Sequence, residues 1–233
     1  VPTDLHLALQ RYYAGEDGQI EAPVAGYLVD ALRDGVAYEI QTGSFAALRG
    51  KLEALAAVGL VVLVYPVAQV KTIVQLDPET GEELSARRSP KRGRVTEVGW
   101  ELLYLAEALR GENLALEVVL TTERELRQAD GRGSWRRKGV SVVGRELVEV
   151  VEAHRFERPE DFLGLLPGGL GEEFTVADLA EAGKLSKALA GRLAYGLWKI
   201  RALERVGKRG KAYLYRQVKA RKTRRRVAAQ ANT

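Results

Sequence analysis

The chain has 233 residues, 46% hydrophobic and 29% charged, with a formal net charge of +5. That balance fits one large globular domain or two small ones and argues against a disordered or fibrous chain. Cysteine is absent and only two histidines occur, His6 and His154, which excludes disulfides, thiolate chemistry and a three-histidine zinc site. No apolar run reaches the ~20 residues of a membrane span, and no signal peptide is evident, so a cytoplasmic protein without a membrane partner is expected. Residues 1–110 carry 11 Lys+Arg against 15 Asp+Glu, and residues 111–233 carry 25 against 16. An acidic front and a basic back imply two jobs. The basic part points to a polyanion, nucleic acid first and an anionic membrane surface second.

In chain order, residues 4–14 read as a helix with Leu5, Ala8, Leu9 and Tyr12 on one side. Residues 27–32 and 36–42 read as strands around Arg33-Asp34-Gly35. Ser44 is placed to cap a helix over 45–57, with Leu48, Leu52 and Leu55 inward and Gly59 ending it. Residues 60–67 are a continuous apolar strand of the kind buried on both faces. A further strand, 70–76, precedes a turn at 77–81. A basic loop, 87–94, leads to a helix over 98–108. The order describes one mixed α/β domain across 1–110. Residues 111–171 read as a connecting region. It holds a strand at 115–121, a glycine-rich loop at 130–139, a strand or helix at 140–156 and a linker at 167–171. Residues 172–218 form a second, smaller α+β domain, and 219–233 a basic tail expected to fray.

The segment 30–41 is the most informative. Asp34-Gly35 between apolar strands signals a type I′ hairpin, because both central positions need positive φ. The register then pairs Arg33 with Val36, Leu32 with Ala37, Ala31 with Tyr38 and Asp30 with Glu39. Opposed residues have Cβ atoms about 4.5–5.5 Å apart, and Gln41 shares a face with Glu39. Two opposed carboxylates destabilise a hairpin unless something neutralises them. A hard divalent cation does so, and oxygen ligands select magnesium, manganese or calcium. The alternative is an exposed hairpin whose acids face water. Both acids, however, lie in otherwise apolar strands, where a charge usually has a reason.

An aspartate ending one strand, Glu-x-Gln on the next, then a helix and a further strand, resembles the PD-(D/E)XK (restriction-endonuclease-like) nuclease superfamily over roughly residues 1–75. The resemblance implies an α-β-β-α-β core with a mixed sheet and a magnesium- or manganese-dependent phosphodiester hydrolase, with no nucleotide cofactor. It assigns the metal aspartate to Asp30, the metal glutamate to Glu39 and the third position to Gln41, with the carbonyl of Ile40 as a further ligand. Gln41 stands where the family has lysine, and a glutamine cannot act as a charged activator. Lys51 on the following helix either supplies that ammonium from another direction or is a solvated helix residue. Members often dimerise to cut two strands, and the helix at 98–108 offers a homodimer interface.

The second informative region is 172–218. Thr175 caps one helix, Gly183 breaks it, and Ser186 caps a longer helix over 187–201 with Leu189, Leu193, Leu197 and Ile200 inward. A hairpin with a basic tip follows. Short helix, turn, longer helix and hairpin resemble a winged-helix DNA-binding domain. Its outward candidates are Lys187, Arg192, Tyr195 and Lys199 on the longer helix, with Lys208, Arg209 and Lys211 on the hairpin. Ten of the nineteen residues from Lys208 to Arg226 are Lys or Arg and none is acidic, which supplies the fixed charge phosphates require. The loop bearing Trp135, Arg136, Arg137 and Lys138 either grips nucleic acid or buries its tryptophan in a domain interface.

These readings lead to a metal-dependent DNA endonuclease, structure-selective for branched or junction DNA in recombination, repair or defence. The rival is a non-catalytic DNA-binding protein or transcription regulator with a degenerate nuclease domain. A third reading is an RNA-processing nuclease.

Overall fold

The computed structural model describes residues 4–133, 135 and 138–218. Helix α1 (Asp4–Ala14) buries Leu5, Leu9 and Tyr13, whereas Tyr12 faces out. Three strands follow as an antiparallel meander: β1 (Gln19–Val24), β2 (Tyr27–Arg33) and β3 (Val36–Ile40). Between β2 and β3, Asp34 has φ 51° and Gly35 φ 75°, the left-handed pair that a type I′ turn demands. Helix α2 (Arg49–Ala56) leads to β4 (Val61–Leu76), which lies parallel to β3. The helix begins later than expected, and Ser44 does not cap it. The Ser44 hydroxyl instead donates to Glu101, 3.0 Å away.

β4 is one strand of 16 residues; the break expected before residue 70 is a bulge at Gln69, where its register shifts by one. Pro66 is tolerated because β3 has ended there and β5 (Glu83–Arg88) has not begun, leaving one side of β4 unpaired. Arg87 and Arg88, expected in a loop, lie on β5. β6 (Leu114–Gln128) runs parallel to β4, and β7 (Ser141–Phe156) antiparallel to β6. The resulting mixed sheet has seven strands in the order β1-β2-β3-β4-β6-β7, with β5 beside β4. The segment read as a connection therefore completes this sheet.

Residues 98–108 are not one helix. A 3-10 turn (Val95–Trp100) leads into a single turn, α3 (Leu102–Leu105), and a second 3-10 turn (Ala108–Arg110). Gly99 lies in the first of these turns, where a Cβ would come within 3.2 Å of Leu189 and Leu193, which pack over it. Val98, Leu102 and Leu105 are buried against the chain itself, whereas Trp100, Leu103 and Tyr104 of the same segment stay exposed.

The remaining chain forms a 3-10 turn (Pro159–Leu165), β8 (Glu173–Phe174), α4 (Val176–Gly183), α5 (Lys187–Ile200), β9 (Leu203–Arg209) and β10 (Ala212–Gln217). The short strands make a second sheet in the order β8-β10-β9. Both expected caps are present. Thr175 and Asp178 cap each other's backbone N–H reciprocally, and Ser186 Oγ accepts from the Leu189 N–H. No helix among the described residues is long and apolar enough to cross a membrane.

Two apolar clusters flank the large sheet. Leu5, Leu9 and Tyr13 of α1 cover Ala31, Tyr38, Ile40, Val62 and Val64 on one face. On the other, Leu52 and Leu55 of α2 join Ala37, Val61 and Leu63, and the cluster runs on through Leu102 to Leu193, Leu197 and Ile200 of α5. The carboxy-terminal module is thus packed onto the sheet through α5. Leu193→Ala is expected to cost about 2–5 kcal/mol, the transfer and cavity cost of a buried leucine. A denaturant titration checks it: the whole chain should unfold in one transition at a lower midpoint. An early transition of the module alone would show that it folds independently.

Candidate active site and basic surface

The β2–β3 ladder pairs Arg33 with Val36, Leu32 with Ala37 and Ala31 with Tyr38, as the turn requires, and stops there. Asp30 does not continue it to Glu39. Its Oδ2 accepts the backbone N–H of Ile40 at 2.7 Å. Its Oδ1 accepts from Gln10 Nε2 at 3.0 Å and lies 3.0 Å from His6 Nε2, both on α1. Glu39 turns to the other side, where its Oε2 accepts from Lys51 Nζ of α2 at 2.7 Å. Lys51 also donates to the Leu28 carbonyl at 2.7 Å. The two carboxylates thus engage helices on opposite faces of the sheet, and the expected face-to-face pair is corrected. The cause lies largely in α1: a backbone donor and two side chains of that helix satisfy Asp30 better than a facing carboxylate would.

The acids remain electrostatically coupled. Burial pushes the Glu39 carboxyl above its ordinary pKa, and the Asp30 charge adds to this, against the opposing pull of Lys51. Burial also pushes Asp30 up, but its hydrogen bonds with His6, the Ile40 amide and Gln10 outweigh that and hold it below the usual range. The hydrogen bond to Asp30 raises His6 in turn. Asp30→Asn is expected to lower the His6 midpoint, because the imidazolium loses its anionic acceptor. An NMR titration of the metal-free protein reads this directly; an unmoved midpoint would detach His6 from Asp30.

Lys51 therefore reaches the acidic centre, as one of its two readings required. Gln41 does not: its side-chain amide donates to the Ser44 carbonyl at 2.5 Å and its backbone N–H to Val64 at 2.8 Å. His6 and Gln10 were missed by sequence reasoning. The available signal was their i, i+4 spacing beside the inward stripe of α1; the structure adds that Gln10 is only 2% exposed.

Glu39 Oε1 is buried and makes no hydrogen bond of good geometry among the described residues, although the Asp30 backbone N–H lies close enough to the carboxylate to favour its charged form. An orphaned carboxylate oxygen calls for a donor or a cation. Among the described residues, no three His, Asp or Glu side chains converge as a metal-holding group. Magnesium needs only one or two carboxylates and keeps its waters; Glu39 is the acid with an oxygen left for such an ion, whereas both Asp30 oxygens are engaged by Ile40, Gln10 and His6 on the side of α1.

The basic candidates divide. Lys187, Lys208 and Lys211 are exposed. Arg209 pairs with Asp178 at 3.1 Å. Arg192 bends back over the Trp100 ring at 5.5 Å and donates to its carbonyl, so it is turned towards the chain's own 3-10 turn. Tyr195 and Lys199 belong to an aromatic cluster around Arg205, a residue sequence reasoning passed over. At the tip of the β6–β7 hairpin Trp135 is 83% exposed, which removes the interface alternative. Lys138 follows at φ 52°. Arg136, Arg137 and the tail from residue 219 lie outside the described residues.

An uncharacterised protein of Treponema pallidum (strain Nichols) is 30% identical over 222 residues, covering 92% of this chain and 85% of that one. No solved structure matches the chain. Residues 3–157, from α1 to the end of β7, match the family described as a domain of unknown function, DUF8091. The large mixed sheet is therefore the matched domain, and the chain belongs to the DUF8091 family.

Proposed function

We propose that the protein is a metal-dependent DNA endonuclease, with a PD-(D/E)XK-like centre on the large sheet and a winged-helix-like module after it. The observation that carries this is the buried Glu39 carboxylate with one orphaned oxygen, set beside Lys51 and electrostatically coupled to Asp30. The element order supports it. Helix, antiparallel strands, helix and parallel strand are what the resemblance implies, with β1 as an additional strand. A bound magnesium or manganese ion would polarise the scissile phosphate and lower the pKa of a bound water. Glu39 would hold it, and Asp30 would act on the site through its charge. Lys51 orients Glu39 and places a positive charge where Gln41 cannot. The Ile40 amide, Gln10 and His6 fix the Asp30 carboxylate.

In the module, β8, α4, α5 and the β9–β10 hairpin follow winged-helix order. Lys187 at the start of α5 and Lys211 at the hairpin tip are suited to phosphate contact. Replacing either by alanine is expected to flatten the slope of log affinity against log salt by about 0.9 on duplex DNA, one phosphate contact each. Fluorescence anisotropy over a salt series measures it.

The deciding experiment incubates the protein with plasmid DNA, a synthetic four-way junction and RNA, with and without magnesium or manganese. Metal-dependent nicking of DNA supports the proposal, and preference for the junction would add structure selectivity. Cutting of RNA alone would make it an RNA-processing enzyme. Binding without cleavage at every metal concentration would leave the second reading, a DNA-binding regulator. That reading draws on two observations: the acids engage opposite faces, and Gln41 is tied into the 41–44 turn. A homodimer, if double-strand cutting requires one, has the exposed Trp100, Leu103 and Tyr104 of the 98–108 segment to use.

A further inference from the structure

The geometry points to a docking site for an unpaired nucleotide on the shoulder between α5 and the β9–β10 hairpin. The guanidinium of Arg205 lies 3.9 Å from the Trp198 ring centroid and 4.1 Å from that of Tyr213. Tyr195 and Tyr215 are each 5.6 Å away. Lys199 Nζ stands 5.1 Å from Trp198, and Lys208 Nζ 5.2 Å from Tyr213. Three cations therefore converge on four rings. Among the described residues none of the three pairs with a carboxylate, and the acids nearby are already engaged: Glu204 with Arg216 and Asp178 with Arg209. Arg205 Nη2 donates to the Tyr215 hydroxyl at 3.4 Å, whereas its Nε is buried without a hydrogen-bond partner among the described residues.

Ring faces hold a guanidinium in place without neutralising it. The cluster is thus preorganised and still short of an anion and of hydrogen-bond acceptors. Tyr213 is 43% exposed, which leaves ring surface for a further stack. The ligand that answers all three needs carries a flat π-face, acceptor edges and a negative charge within a few ångströms of one another. A nucleotide does; an acidic peptide or a lipid headgroup brings charge without the face. In a duplex the base faces are already stacked, so the base must be unpaired. This goes beyond the proposed cleavage, since it requires neither a metal nor Glu39, and it would give even a non-cutting protein a preference for opened or branched strands.

The test is anisotropy of the full chain in EDTA, with labelled oligo(dT), with a blunt hairpin duplex of equal phosphate number, and with polyglutamate as an anion lacking rings. Tyr213→Ala is expected to weaken oligo(dT) binding about ten-fold or more, the value of one stacked base. Duplex affinity should move by less than about two-fold, because phosphate contacts are untouched. Tyr213→Phe should retain binding, and Arg205→Lys should lose it, since an ammonium cannot stack as a plane. Tyr213→Leu, which keeps bulk without a ring, must behave as the alanine variant, and thermal melts establish that each variant is folded. The inference is overturned if Tyr213→Ala leaves oligo(dT) affinity unchanged, if it weakens duplex equally, or if polyglutamate competes as well as oligo(dT) of the same charge. The absence of metal keeps this result separate from any failure of the cleavage reading.

Discussion

Glu39→Gln is expected to lower metal-dependent cleavage by about a thousand-fold, while leaving the protein at neutral pH at least as stable as the wild type. The first half follows from charge. A bound metal ion supplies several kcal/mol of transition-state stabilisation, and losing about 4 kcal/mol of it with the carboxylate that would hold the ion is a factor near a thousand in rate. The second half follows from burial. Glu39 is 5% exposed and its carboxyl is pushed above its ordinary pKa. An acid raised on folding keeps its proton to higher pH in the native state than in the unfolded chain. Stability therefore falls as pH rises from the ordinary glutamate range through the raised value, and stays lower above it. Glutamine carries no such penalty, and Lys51 keeps its bond to the Leu28 carbonyl. The stability gap between variant and wild type should narrow as the pH is lowered towards the acid range. Cleavage assays and denaturant titrations across pH measure the two halves. Cleavage that survives the change removes Glu39 from the site. Loss of stability at neutral pH would make the Glu39–Lys51 pair a structural bridge instead. A site that costs stability for the sake of its chemistry shows the opposite pattern.

The hairpin was legible because its turn chemistry is local: Asp34-Gly35 fixes both positive φ values, and the rungs down to Ala31–Tyr38 follow from counting. The last rung was not legible, because its fate depends on α1. Only the folded sheet brings His6 and Gln10 over Asp30, and no residue near the turn reports that. The caps at Thr175 and Ser186 were readable for the same local reason as the turn. The break in the 98–108 helix was not; Gly99 there packs under side chains of α5 some ninety residues on.

Two long strands were read only in part, for a different reason. β7 pairs with β6 through three register shifts, and the residues left out of the ladder are Val143, Val148 and Val151, all exposed. Each bulge reverses which face the next residues address. The period-two alternation that identifies a strand is scrambled in the sequence although the strand is continuous, and 140–156 therefore read as strand or helix. β6 hides in another way. Beyond residue 120 its inward positions include Glu123 and Glu125, which look like surface charge until their partners arrive from neighbouring strands: Arg145 for Glu123, and Lys71 for Glu125. A pattern that sorts residues by polarity cannot tell a paired buried charge from a solvated one.

Those buried pairs yield the largest expected loss of stability. Arg145→Ala should cost about 3–5 kcal/mol, the penalty for stranding a buried charge. Glu123 is 0% exposed. Its Oε2 accepts both Arg145 Nη2 at 2.7 Å and Nε at 3.0 Å, while Oε1 accepts only the Thr121 hydroxyl at 2.7 Å. Without the guanidinium the carboxylate keeps, among the described residues, one neutral donor, the Thr121 hydroxyl. Glu125 differs. Burial pushes its pKa up, but Lys71 and Arg127 together hold it below the usual range. A lowered acid contributes stability that is present above its unfolded pKa and is lost as pH falls through the lowered value. Either cation can cover for the other, so Lys71→Ala should cost clearly less than Arg145→Ala. The pair argument makes a further demand: changing Arg145 and Glu123 together to leucine should recover most of the loss, because the desolvation cost disappears with the charge. Denaturant midpoints for the two single variants and the double variant decide it. If the double change is worse than Arg145→Ala alone, the cost lies in the packing of the arginine stem and not in an abandoned carboxylate.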